Sequence, residues 1–317
     1  MSLPVRLKLM ALSVGWIAAA TGIATARDAL TPPPPSQKLQ PVDENDKHAP
    51  PERRRDKADR RSADKPTFAK PVPKRVPAKR QLPRGFVDLA DIAPSIEVDM
   101  RYAGGFNFVG SPVDGYSANR CVLARPVAMA LARVQQSLQG EGLGLRVYDC
   151  YRPVRAVRHF LRWARRGGAG TAPGRATKYF YPRIRRSQVI PRGYVAERSS
   201  HSRGTAVDLT LVNKGEGAGE KRGRPSTIEA VLTATPAATC LSPSLGRDNR
   251  LDMGTAWDCF DVKSHTFAPG IAHQARANRR RLFDAMKGAG FRNYKREWWH
   301  YSMSLPGYRR GRDFPVE

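Results

Sequence analysis

Ser199-Ser200-His201-Ser202-Arg203-Gly204-Thr205-Ala206-Val207-Asp208 sets a histidine and an aspartate at the head of an alternating segment. From Thr205 to Val212 the alternation is that of a strand, with Ala206, Asp208 and Thr210 on one face and Val207, Leu209 and Leu211 on the other. A carboxylate at Asp208 therefore points away from the apolar side, toward a cleft. Near the end of the chain, Glu297-Trp298-Trp299-His300 adds an acid and a second histidine. Hydrolytic zinc sites hold the metal with three nitrogen or oxygen side chains and keep a further position open for water. His201, Asp208 and His300 fit that ligand set for one zinc ion per chain, and Glu297 fits the general base beside it. Either block alone would read as a capped turn or a core histidine; together they point to metal chemistry. Side chains three apart on a regular strand face opposite ways, so a bulge, a bend or a strand that starts after Glu297 is expected.

Working outward, Phe86 to Ile92 carries short apolar runs and Ile96 to Tyr102 alternates as a half-buried strand. Pro126 opens a helix through Leu138, with Met129, Val134 and Leu138 near helical spacing and Gly140 as its stop. Leu143 to Tyr148 reads as a strand, and Pro153 as the first residue of a helix from Val154 to Arg166. Asn213 to Asn249, rich in Gly, Pro, Ser and Thr, reads as a long surface insertion. Ala275 to Met286 is helical with Leu282 and Met286 on one side, ended by Gly288 and Gly290, and Phe291 to Met303 reads as paired strands. His159, His265 and His273 fall in no ligand pattern.

The amino-terminal part has a different character. Arg6 and Lys8 precede an apolar run from Leu9 to Ile23, and Ala24-Thr25-Ala26 gives the small-x-small pattern of a cleaved secretory signal, so residues 1–26 are expected to direct export to the periplasm or cell envelope. Residues 27–84, rich in Pro, Lys and Arg with few apolar side chains, are expected to stay disordered as a tether, because they cannot bury enough surface to offset chain entropy. Residues 85–317 are then the catalytic domain.

With 55 Lys and Arg against 28 Asp and Glu, the chain carries a formal charge of +27. Such charge invites a nucleic-acid reading, but in an exported protein the anions at hand are wall polymers and membrane head groups. The tether is expected to make electrostatic contact with one of those, and no nucleic-acid partner is expected. The four cysteines, Cys121, Cys150, Cys240 and Cys259, are an even number in such a chain and suit two disulfides. Three pairings are open; Cys121 with Cys150 and Cys240 with Cys259 is the favoured one.

The assembled pattern resembles the zinc D-alanyl-D-alanine dipeptidases. The blocks that carry the likeness run from Arg101-Tyr102-Ala103, Asn107-Phe108 with Gly110 and Asp114-Gly115-Tyr116 through Asp149 with Tyr151-Arg152-Pro153. They continue through Ser199 to Asp208, Met253-Gly254 with Asp258, Asn278-Arg279-Arg280-Arg281-Leu282 and Glu297 to Tyr301. The resemblance implies an α+β single domain, with a central, mainly antiparallel sheet flanked by helices and a zinc site in a cleft. It implies zinc on His201, Asp208 and His300, Glu297 as acid and base, and Arg152 as the group that stabilises the oxyanion. Asp258 matches a carboxylate that pairs with the ammonium of a small dipeptide substrate, Tyr102 a residue that helps hold that end, and Ser199 a hydroxyl near the substrate. Cys121, Cys150 and Cys259 depart from the family pattern, and two of the four cysteines sit close to proposed site residues. Two further readings stay open: a zinc D,D-carboxypeptidase or endopeptidase on peptidoglycan stems, favoured if the insertion opens the cleft, and a wall-binding module that keeps a zinc site for structure alone and attaches through the basic tether.

Overall fold

Two adjacent strands, each buried along nearly its whole length, organise the molecule. The computed structural model describes residues 81–166, 174–214, 231–233, 235–242 and 249–317. The expected signal segment, the tether up to residue 80 and most of the insertion lie outside the described residues. The first two elements are β1 (Phe86–Asp88) and α1 (Leu89–Ile92), the latter capped by the Asp88 carboxylate accepting from Ala90 N at 3.0 Å. β2 (Glu97–Val98), β3 (Val122–Ala124), α2 (Arg125–Gln139), β4 (Leu143–Asp149), α3 (Val154–Arg165) and α4 (Arg175–Phe180) follow. The rest of the fold is β5 (Ala206–Asn213), α5 (His273–Gly288), β6 (Arg292–Asn293) and β7 (His300–Ser302).

The main sheet runs in the order β2-β4-β5-β7-β6; only β2 pairs in parallel, so the expected mainly antiparallel α+β architecture is what forms. β1 and β3 make a separate antiparallel pair. Val127, Leu131, Val134 and Leu138 form the buried stripe of α2, while Leu282 and Met286 do the same for α5. Both faces of β4 and β5 are covered, so the polar side chains of Arg146, Asp149, Asp208 and Thr210 are buried along with the apolar ones. Among the described residues no helix is long and apolar enough to cross a membrane.

Some local expectations are corrected. The strand expected over Ile96 to Tyr102 is only Glu97–Val98. Met100 N donates to the Asn119 side chain at 2.7 Å and Ala103 N to Met100 O at 3.1 Å, which turns the chain into a 3-10 segment, Arg101–Ala103. Met129 is 44% exposed, because the buried face of α2 runs through Leu131. Pro153 stands just outside α3, at its N-cap position. The insertion is not all surface: Val231, Leu232, Ala238 and Cys240 are buried, with Cys240 N donating to Tyr179 O at 2.9 Å. Both favoured disulfides, Cys121–Cys150 and Cys240–Cys259, are present.

Candidate metal centre and active site

Register places three site residues in a row across the sheet. Asp208 on β5 pairs with His300 on β7 and with Asp149 on β4. The β4 partner would fall out of phase but for an irregularity between Val147 and Asp149, where β4 advances two residues against one on β5. That bulge turns the Asp149 carboxyl to the side occupied by Asp208.

His201 reaches the same place from the 3-10 turn His201–Arg203. Ser199 Oγ accepts from His201 N at 3.2 Å, and the turn closes on Gly204 at φ +69°. Any Cβ there would lie 2.4 Å from the Phe86 ring and 3.1 Å from Ala124 N, so the residue that feeds the chain into β5 must be glycine. His201 Nε2 then lies 3.2 Å from Asp208 Oδ1 and 3.1 Å from His300 Nδ1, and His300 Nδ1 lies 3.0 Å from Asp208 Oδ1.

That triangle fits a metal ion. Tetrahedral ligands at zinc-nitrogen and zinc-oxygen bond lengths stand about 3.3 Å apart. His201 Nδ1 donates to Cys150 O at 2.7 Å, which leaves the Nε2 lone pair facing Asp208 and His300. A cation at the centre of the triangle would let all three atoms face inward as lone pairs. Burial alone would push Asp208 up, yet His201 and His300 beside it hold its carboxyl far below the usual range.

Glu297 does not lie on a strand. Glu297 N donates to Tyr294 O at 2.8 Å and His300 N to Glu297 O at 3.2 Å, so consecutive turns precede β7 and the strand starts at His300. This is the expected departure, and it leaves Glu297 Oε2 3.9 Å from His300 Nδ1. The turn is fixed by Trp298, whose indole donates to Thr255 Oγ1 at 2.9 Å and whose backbone N donates to Ser264 O at 3.0 Å. Burial first, then the charges of Asp208 and Asp258, push the Glu297 carboxyl well above its ordinary value.

Arg152 donates from Nε (2.9 Å) and from its terminal nitrogen (2.6 Å) to the same Asp149 oxygen. Its guanidinium lies 5.1 Å from the Phe160 ring centre and 5.2 Å from that of Tyr102. Burial opposes its charge, but Asp149 above all keeps it firmly protonated. Asp149 also accepts from Tyr116 OH at 2.6 Å and Cys150 N at 3.0 Å, so one fully buried carboxylate aims the guanidinium.

Asp258 has φ +58°, the only described non-glycine residue in the left-handed region, a conformation that aspartate tolerates better than most. It accepts from Tyr102 OH at 2.7 Å. Burial and then Asp208 push its carboxyl well up, against the pull of the Tyr102 hydrogen bond. All eight residues singled out in the sequence, Tyr102, Arg152, Ser199, His201, Asp208, Asp258, Glu297 and His300, line one cavity of about 250 Å³. Sequence reasoning gave no role to Asp149, Tyr116 or Trp257, whose indole donates to Asp208 Oδ2 at 3.4 Å. Asp149 and Tyr116 both stand in the blocks that carry the family likeness, and Asp149 also ends a strand three residues before Arg152, but neither position disclosed the hydrogen bond between them. His159, left unassigned, pairs with Asp114 at 3.1 Å, away from the site.

A possible metal site of two imidazoles and a carboxylate, with a buried acid and a guanidinium around one cavity, defines a metallopeptidase. The family profile described as D-ala-D-ala dipeptidase, of peptidase family M15, matches residues 83–223 and 221–314. The chain is 37% identical over 234 residues to the D-alanyl-D-alanine dipeptidase of Enterococcus faecium, covering 74% of this chain and 98% of that protein. It is 38% identical over 232 residues to the Streptomyces coelicolor enzyme of the same name (73% and 96%), and 29% identical over 221 residues to that of Escherichia coli (68% and 83%). The chain therefore belongs to the D-ala-D-ala dipeptidase family.

Proposed function

We propose that this enzyme is a zinc-dependent dipeptidase that hydrolyses D-alanyl-D-alanine into two alanines. The observation that carries the reading is the meeting of Asp258, Glu297 and the His201–Asp208–His300 cluster in a cavity of about 250 Å³, small enough for a short peptide. The named activity of the relatives supports the choice of substrate.

His201, Asp208 and His300 would hold a zinc ion, which would supply a Lewis acid able to lower the pKa of water and polarise a carbonyl. Glu297 takes the proton of the attacking water and returns it to the leaving amine as the peptide C–N bond breaks. Its raised pKa suits both tasks, since a weakly acidic carboxyl accepts a proton and keeps it until the amine departs. Arg152, held by Asp149, faces the negative charge that develops on the carbonyl oxygen. Asp258 receives the substrate's ammonium. That cation compensates a carboxylate which burial otherwise disfavours, so a blocked amine leaves it unpaired.

The apolar run from Leu9 to Ile23 and the Ala24-Thr25-Ala26 pattern support export to the periplasm or cell envelope, where wall peptides supply the substrate. The basic segment at 27–84 supports contact with anionic wall polymers or a membrane surface. The test is hydrolysis of D-alanyl-D-alanine that a chelator abolishes and zinc restores, with a pentapeptide stem as the competing substrate. Faster cleavage of the stem than of the dipeptide would favour a carboxypeptidase instead, and bound zinc with no cleavage of either would favour a wall-binding module.

A further inference from the structure

Charge around the cavity is unevenly met. Asp208, Asp258 and Glu297 line it, and Arg152 is engaged by Asp149. One more arginine lines the same cavity, Arg198. Among the described residues no hydrogen bond or ion pair engages it; its neighbour Glu197 is turned to Arg165 instead, at 3.5 Å. The loop that carries Arg198 is pinned on both sides. Before it, Tyr194 stacks on Phe260 with ring centres 5.2 Å apart, Val195 is buried, and Tyr294 OH donates to Gly193 O at 3.1 Å. After it, Ser199 Oγ accepts from His201 N. Residues 196–198 between these anchors are exposed at the rim. Gly193 is part of the brace: at φ +77°, a Cβ there would lie 3.0 Å from the Tyr294 hydroxyl.

A dipeptide with free ends is a zwitterion. If its ammonium meets Asp258, its carboxylate needs a cation, and Arg152 is already committed. We infer that Arg198 receives the carboxylate terminus of the substrate and thereby sets the preference for peptides that end one residue beyond the cleaved bond; this rests on the dipeptidase reading above. Guanidinium suits the task because it presents paired N–H donors to the two oxygens of a carboxylate. A longer peptide puts a neutral amide there. Arg198 is exposed, so it stays hydrated when unpaired, and the discrimination is graded, not absolute.

The experiment compares wild type, Arg198→Ala and Arg198→Lys, each loaded with zinc, on D-alanyl-D-alanine and its carboxy-terminal amide. Arg198→Ala is expected to raise KM for the dipeptide roughly 2- to 5-fold, the scale of a lost exposed ion pair, with kcat little changed. It should also erase the wild-type preference for acid over amide, while Arg198→Lys restores part of both. Thermal midpoints should match, since no described contact is lost. A variant that keeps the wild-type KM and the wild-type preference for acid over amide overturns the assignment of Arg198 alone. A zinc-loaded wild type inert toward D-alanyl-D-alanine overturns the dipeptidase reading and this assignment with it.

Discussion

His201 donates its Nδ1 proton to the carbonyl of Cys150 at 2.7 Å, and Cys150 is itself bonded to Cys121. The cross-link thus holds the acceptor that fixes which nitrogen of His201 faces Asp208 and His300. Replacing both cysteines by serine is expected to cost stability and metal affinity together. The sequence separation is 29, for which the chain-entropy estimate is roughly 3–4 kcal/mol. Thermal unfolding and zinc competition against a chelator measure the two effects. Undiminished zinc affinity in the folded double variant would show that the carbonyl stays in place without its cross-link.

Glu297 lies near the candidate metal ligands without belonging to them, 3.9 Å from His300 Nδ1. Glu297→Gln keeps the shape of the side chain and removes its basicity. Turnover should fall by at least ~10²-fold, as expected for loss of a positioned proton-transfer group, while the protein still binds one zinc ion. Metal analysis beside kcat separates this from a ligand's loss, which would empty the site. A variant with near-normal kcat would remove Glu297 from the mechanism.

Asp258 combines a left-handed backbone with a buried carboxyl group. Asparagine accepts that backbone, so Asp258→Asn tests the charge alone, whereas Asp258→Ala adds backbone strain and should also lower the melting temperature. The asparagine variant is expected to raise KM for the free dipeptide roughly 10- to 100-fold. Wild-type enzyme should leave N-acetyl-D-alanyl-D-alanine uncleaved. Equal rates on the acetylated and free dipeptides would sink the ammonium assignment.

Much of the site was legible because its residues come in short blocks whose local form is set by nearby sequence. Ser199 to Asp208 contains its own side-chain hydrogen bond to the backbone, its own obligatory glycine and the start of its strand. The helices were legible because proline and glycine mark their ends, as with Pro126 and Gly140 around α2. Asp149 was not, because its direction depends on a bulge against β5, and a one-residue slip would have turned it away. Nor was the fate of Ile96 to Tyr102: alternation promised a strand, but a side chain from Asn119 takes the hydrogen bond of Met100 N. Residues distant in sequence decide such points, and periodicity does not see them.

Distant contacts also make the last prediction, at Glu97. Its carboxylate on β2 accepts from Lys214 Nζ at 2.6 Å, Asn249 Nδ2 at 2.9 Å and Arg146 Nε at 2.8 Å, joining the sheet edge to the end of β5 and to the far end of the insertion. Burial pushes its pKa up, but those three donors outweigh it and bring it from 4.5 to about 2. The folded value lies below the unfolded one, so ionised Glu97 stabilises the fold fully above about pH 4.5 and loses that contribution as pH falls toward 2. Glu97→Gln removes the charge at every pH. Its stability deficit against wild type should therefore be largest near neutrality and shrink steadily between pH 4.5 and 2, measured by denaturant unfolding across that window. A deficit that stays constant down to pH 2 would mean that shape and neutral hydrogen bonding, not the ion pairs, hold this corner of the sheet.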